Sequence, residues 1–508
     1  GLAAWPLVAR VFSRFPDRGY ALAKGIGLLL AGYLVWLGAS LRLVANSPPV
    51  AWASVALVGA CSFFLWRRRR SEVGPLTSAG RRLVLGEELL FTAGYAAFVG
   101  IRLLNPDLWQ PWFGGEKMME IAFLNAITKS AHMPPYDPYF ACGYINYYYY
   151  GLFIVNVLIK LVGVVPEVGF NLAIPTLFAL TLSHAYWLGS LLGMRSASTR
   201  GRGRARGTAL TALALDASSR MRVSLLGGLG ALASVAAIGN LSGIVQVLGG
   251  LVQASGVALD GGWQIVRALP RVLGTLPSVL SGRVTLAPFE YWYSATRIIP
   301  YTINEFPFFS FLFADLHPHM IGIPFSLLIA ALCLAVVTDV RKAGAEAAPS
   351  RRGLPFWTWL LMPLVLGALG PMNTWDLPTG CALLACALLY RGYRRGRIKG
   401  LVTGLAKGLF VLALAMLAYA PFYLHYRVPG FGLAVVPPGE WTQPGPFVLI
   451  WGYFLFLALS GLSMWLIGGC RWAELRRLAG RIGWAETLRR LWHLRGRGIA
   501  RAAWTIVG

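Results

Sequence analysis

The chain reads as an all-α, polytopic integral membrane protein with about eleven transmembrane helices. Three observations carry that expectation. It is 56% hydrophobic with only 13% charged residues, and its mean hydropathy of +0.60 lies outside the range of soluble globular chains. It contains repeated apolar runs near the 20 residues that a bilayer core demands. Its arginines gather in a few short loops between those runs.

The apolar windows fall at 20–44 (YALAKGIGLLLAGYLVWLGASLRLV), 49–66, 83–104, 148–164, 169–193, 223–247, 320–338, 354–372, 377–390, 401–424 and 446–469. The windows 148–164 and 377–390 are short for a crossing. Basic residues crowd the stretches 67–82, 195–222, 341–352 and 391–399, which hold 22 of the 46 lysines and arginines against three acids. That asymmetry is the positive-inside pattern and assigns all four loops to the cytoplasm. The net charge of +26 is thereby explained by topology, and nucleic acid is not an expected partner.

The opposite face then receives 105–147, 248–319, 373–376 and 425–445. One conflict follows: 148–193 reads as two helices, yet an odd number of crossings must reach the arginines from Arg195 onward. One of the two is expected to be re-entrant or wrongly bounded. The basic segment 471–508 is expected to lie on the anionic inner leaflet, leaving 1–470 as one transmembrane domain. The chain starts at Gly1 without a signal peptide and reads as processed or partial. Its six cysteines contain no CxxC and imply no metal or disulfide framework.

Polar residues on the outer face fall into tight groups. In NPDLWQPWFGGEKMMEIAFLNAI, Glu116 and Glu120 are four apart and share a face if a helix begins there. Two such acids repel unless a metal, a lysine or a proton lies between them; a solvated helix start with acids on the N-terminal dipole gives the same pattern. In FADLHPHM, Asp315, His317 and His319 alternate and would converge in extended backbone on a metal ion or a phosphate. An interfacial turn holding its own backbone is the plainer alternative. Arg297 and Glu305 upstream suit either substrate binding or a structural ion pair. Asn373, Trp375 and Asp376 fill a turn between two helices, which on local grounds is simply a turn. Tyr147, Tyr148, Tyr149 and Tyr150 precede an apolar run, as an aromatic anchor does, or line a polar cavity. Separate segments bringing acids and histidines to one predicted face are the best evidence for a site.

At these residues the sequence resembles the YYY membrane-protein family. The resemblance runs through PDRGYALAKGIGLLLAGYLVW, NPDLW, GGEKMME, PPYDPYFACGYINYYYYG, RIIPYTINEFPFFSFLFADLHPHM and NTWDLPTG, from about residue 16 to about 380. That family's layout is similar to GT-C glycosyltransferases, polytopic enzymes with an acid in the first large outer loop that use lipid-phosphate-linked sugars. The resemblance implies a role for the acids at 116–120 and none for the tyrosines specifically. The family usually reads EKPMD where this chain has Glu116-Lys117-Met118-Met119-Glu120, so Glu120 keeps the charge and lengthens the reach.

The expected function is therefore sugar transfer from a polyprenyl-phosphate donor to an extracytoplasmic acceptor, in the plasma membrane. Glu120 would be the general base with Glu116 as its partner. Asp315, His317 and His319 would hold magnesium or manganese, with zinc a weaker choice, or else contact the phosphate directly. The four tyrosines, Arg297, Glu305, Asn373, Trp375 and Asp376 would line the substrate, and the partners are membrane lipids, the lipid-linked donor and an acceptor of unread identity. A transporter or flippase would instead place its polar groups at mid-membrane in broken, repeated helices, and a scaffold would need no such cluster.

The topology is directly testable. In a background lacking Cys142, single cysteines at Ser71 and Ser198 should resist an impermeant thiol reagent in intact cells, and labelling from outside would overturn the orientation.

Overall fold

A computed structural model describes residues 1–68, 76–110, 115–204, 217–258, 264–290, 293–338, 353–427 and 435–469. The basic stretches 69–75, 205–216 and 339–352 lie outside them, as does the segment 471–508 apart from Gly480, Gly483 and Glu486. Among the described residues there is no strand, only one isolated bridge between Tyr136 and Tyr144. Lipid dictates this, because backbone N–H and C=O groups without water must be satisfied within the segment.

The chain divides into two compact units. The first, residues 1–237 and 310–431, holds α1 (Trp5–Val11), α2 (Tyr20–Ser40), α3 (Pro48–Arg68), α4 (Ser78–Leu104), α5 (Lys117–Lys129), α6 (Tyr150–Val162), α7 (Pro166–Arg204) and α8 (Ala217–Ala236). The second contains α9 (Ser242–Ser255), α10 (Gln264–Gly274), α11 (Leu276–Leu280) and α12 (Tyr293–Thr296). Helix α13 (Pro307–Phe313) carries the chain back to the first unit, which continues with α14 (Pro318–Thr338), α15 (Phe356–Met372), α16 (Asp376–Ala418) and α17 (Ala420–Tyr423). Helix α18 (Pro444–Gly469) belongs to the second unit. There Leu241 N–H donates to the Leu449 carbonyl at 2.7 Å, and Asn240 Nδ2 donates to the Ala295 carbonyl at 2.6 Å.

Seven described helices are long and apolar enough to cross a membrane, with α6, α8 and α15 shorter apolar ones. Helix α16 spans 43 residues only because it contains a reversal: Gly396 (φ −142°) and Arg397 (φ +53°) leave helical geometry. The arms on either side fold together so closely that a Cβ on Gly392 or Gly400 would strike the other's carbonyl. The separate windows 377–390 and 401–424 are these two arms. The window 223–247, by contrast, is split, with α8 ending at Ala236 and α9 starting at Ser242.

The parity conflict finds its reason in α6. At 13 residues it rises about 20 Å, well short of the roughly 30 Å hydrocarbon core. It is also buried along most of its length, as a segment inside a bundle rather than one facing lipid. Helix α7 supplies a full-length apolar span after it.

The core of the first unit lies among α2, α6, α7, α14 and α15. An aromatic cluster locks α2 to α6: Trp36 meets Tyr150 edge-on with ring centroids 5.4 Å apart, and Tyr419 lies 5.4 Å from Trp36 and 5.3 Å from Tyr150. Trp36 Nε1 donates to the Tyr149 hydroxyl at 3.2 Å. Polar ties hold other pairs: His184 Nδ1 meets the Pro324 carbonyl at 2.9 Å, and Lys24 pairs with Glu88.

The reversal in α16 predicts opposite effects for two similar changes. Gly400→Ala should lower the melting temperature, because overpacking against a backbone carbonyl costs about 1–3 kcal/mol. Gly408→Ala, where the nearest atom lies 4.0 Å from the new methyl, should be neutral or stabilising, since alanine favours helix. Thermal unfolding in detergent reads both.

Candidate active site

Helix α5 starts at the paired acids of GGEKMME. Gly115 takes the left-handed conformation (φ +62°), and a Cβ there would meet the Phe313 ring and sit 3.0 Å from Asp315 Oδ2. Only glycine lets this turn pass so close to the second segment. Glu116 occupies the N-cap position and Glu120 the first turn, so the expected common face forms. The two acids nevertheless end in different surroundings. Glu120 is 1% exposed, whereas the Glu116 side chain is 49% exposed and places Oε2 3.1 Å from His317 Nε2.

The second segment reaches the same place by a strained turn. Ala314 is fully buried with φ +62°, a conformation that costs a non-glycine residue energy and clusters at functional sites. It aims Asp315, 4% exposed, at Glu120. Neither oxygen of Glu120 has a hydrogen-bond partner by distance and angle. Burial, then the Asp315 carboxylate, pushes the Glu120 pKa well above the ordinary carboxylate value, while the Leu316 amide and Lys117 oppose that rise. Lys117 is itself buried, and desolvation lowers its pKa against the pull of Asp315. Its ammonium stands 4.8 Å from the centre of the Phe313 ring.

The expected metal triad is not assembled. Among the described residues no group of three His, Cys, Asp or Glu side chains is arranged to hold a metal ion. The expectation rested on extended backbone, but α14 begins at Pro318, so His319 turns with the helix. His319 Nε2 lies 3.2 Å from Ser310 Oγ, and His317 faces Glu116. The two imidazoles do remain adjacent, with ring centroids 4.3 Å apart.

The third segment joins from α15 and α16. A Cβ on Gly322, one helical turn beyond His319, would collide with the Asp376 carboxylate and approach Asn373. Asp376 thus lies against α14, near Asn373 and Ser326 and within the field of His319. Asn373 is buried, while Trp375 is 69% exposed and points away from the packed interior.

The tyrosine run divides. Tyr149 and Tyr150 are buried packing residues of the Trp36 cluster. Tyr148 lies 5.8 Å from the Tyr426 ring. Tyr147 alone looks toward the acids: burial, then Glu116 and Glu120, raise the pKa of its phenol. Arg297 and Glu305 belong to the second unit. Arg297 Nη1 donates to Thr296 Oγ1 at 2.8 Å, and Glu305 is exposed.

Sequence reasoning missed Lys117, the Ala314 turn and the aromatic segment 419–426. The last has a readable signal, YAPFYLHY, whose neighbour Arg427 exchanges hydrogen bonds with Asn146 at 2.7 and 2.8 Å. That exchange fixes the loop from which the tyrosines depart.

The buried acid makes a signed prediction. A carboxyl whose pKa is raised by folding binds its proton more tightly in the native state, so stability falls as pH rises from the unfolded carboxylate value toward the raised one. Glu120→Gln removes that loss. The variant should melt higher than the parent, with a gain that widens from pH 5 to pH 8. A constant or negative difference across that range would show that Glu120 is not held protonated.

No curated protein and no solved structure matches the chain. The family described as Uncharacterized membrane protein (DUF2298) matches residues 30–504. With that match covering nearly the whole chain, and with several apolar helices consistent with a multi-pass membrane protein, this chain belongs to the uncharacterized membrane protein family DUF2298.

Proposed function

We propose that the protein is a GT-C-type glycosyltransferase of the plasma membrane, moving a sugar from a polyprenyl-phosphate donor to an extracytoplasmic acceptor. The observation that carries this reading is the Glu116–His317 pair standing over the buried Glu120 and Asp315. A half-exposed carboxylate bonded to an imidazole is placed to accept a proton from an incoming hydroxyl. Beneath the pair lie the buried Asp315 and the buried Glu120, whose carboxyl is held protonated by burial and by Asp315.

In the reaction, the acceptor oxygen attacks the anomeric carbon and its proton passes to Glu116 or His317. The bond from the anomeric carbon to the phosphate oxygen breaks, and the lipid phosphate leaves with the electron pair. Because Glu120 has almost no exposure, Glu116 replaces it as the group that meets the acceptor, and Glu120 becomes the residue that sets the charge. Tyr147 and His319 flank the acceptor side. Asp315, His317 and His319 are not arranged as a ligand set, so no step is routed through a metal ion.

Transfer from radiolabelled polyprenyl-phosphate sugars tests the assignment. Glu116→Gln should lower the rate about 10²–10⁴-fold, with folding unchanged by size exclusion. Glu120→Gln should cost less and shift the pH optimum. Near-native turnover in both would remove this loop from the chemistry and favour a scaffold.

A further inference from the structure

Arg102 lies in the last turn of α4, the position from which an arginine ordinarily snorkels to water. Here it is only 7% exposed. Its Nε and Nη2 both donate to Asn171 Oδ1, at 3.0 and 2.6 Å. Among the described residues no carboxylate lies within ion-pair distance of it. A guanidinium drawn inward and bonded only to a neutral amide is a desolvated cation with charge to spare.

Beside it opens a cleft of about 460 Å³, between the outer end of α4, the loop after it and the start of α7. Its walls are mostly apolar: Val99, Leu103, Leu108, Val168 and Leu172. Two acids also border it, and neither neutralises Arg102. The Asp107 carboxylate accepts the Trp109 N–H at 2.8 Å, and Glu167 is exposed at the rim. The charge of Arg102 reaches Lys117, one of the groups that depress the lysine's pKa, so the cleft adjoins the acid-lined site. Phe98, one turn before Arg102, packs 6.2 Å from Phe311 on the segment leading to Asp315.

We infer that this cleft is the binding site for the donor's lipid phosphate, with the phosphate on Arg102 and the isoprenoid chain along the apolar wall. Charge, desolvation and an adjoining apolar surface together select an anionic amphiphile over a free anion or a neutral lipid. The identity of the isoprenoid rests on the transferase reading; the anionic-amphiphile character rests on Arg102 and the cleft alone.

The test uses purified protein in detergent with three probes: a polyprenyl monophosphate, the matching polyprenol and inorganic phosphate. Only the monophosphate should raise the melting temperature by mass action. Arg102→Gln should weaken its binding about tenfold or more, as loss of a charge-assisted bond implies. Should that variant fold poorly, Val168→Trp fills the cleft from a half-exposed position and should abolish the shift with the fold intact. Glu120→Gln should retain the shift, which separates this inference from the assignment of chemistry. An equal response to polyprenol or to inorganic phosphate, or a shift unchanged in both cleft variants, would overturn the site.

Discussion

Two carboxyl groups, Glu120 and Asp315, are buried against each other where the start of α5 meets the turn before α14, and the local structure is arranged around that cost. In a low-dielectric setting a second negative charge beside the first is expensive, so one proton must stay or a cation must approach. Lys117 supplies part of the positive field, and the Leu316 amide another part. The Ala314 turn exists to bring Asp315 to this point at a conformational cost. The left-handed Gly115 exists because the opposing strand of chain leaves no room for a side chain. Stability is given up locally, which is the usual mark of residues retained for another purpose.

The membrane character was legible because lipid imposes length and apolarity together, and few soluble elements imitate both. Most windows therefore became helices within a few residues of their expected ends. The errors have separate physical causes. Window 223–247 ran over a break because Gly239 and Asn240 are short interruptions in otherwise apolar sequence, and Asn240 turns its amide to a carbonyl instead of continuing the helix. Helix α6 looked like a short span because a buried bundle segment and a lipid-facing one have the same apolar composition; only its length separates them. The α16 reversal was visible in outline, since five basic residues cannot lie at mid-membrane, although Gly392 and Gly400 give no sign in sequence of how closely the arms approach.

The site was legible where residue type was unusual for its place. Acids and histidines beside apolar helices are costly unless used, and Glu116, Glu120, Asp315, His317, His319 and Asp376 do come together. Their differing surroundings were not legible, because burial sets them: one helical turn separates a half-exposed Glu116 from a sealed Glu120. The convergence expected of Asp315, His317 and His319 depended on extended backbone, and Pro318 begins a helix that removes that register. Arg102 stood in plain view inside the window 83–104, but an arginine near a helix end normally reaches water. Its burial is set by Asn171, 69 positions away.

The tyrosine run shows how one stretch can serve both demands. As the chain enters α6, successive rings point in different directions, so a run of four cannot all face one surface. Tyr149 and Tyr150 are committed to Trp36 and Tyr419, deep in the packed core. Tyr148 and the Asn146–Arg427 exchange secure the loop on its other side. Tyr147 is thereby left little freedom, and it is the ring that faces Glu116 and Glu120. A single tyrosine on a loose loop would pay rotamer and backbone entropy to hold that position. Here the neighbouring rings absorb that cost through apolar burial at the start of the short, largely buried α6.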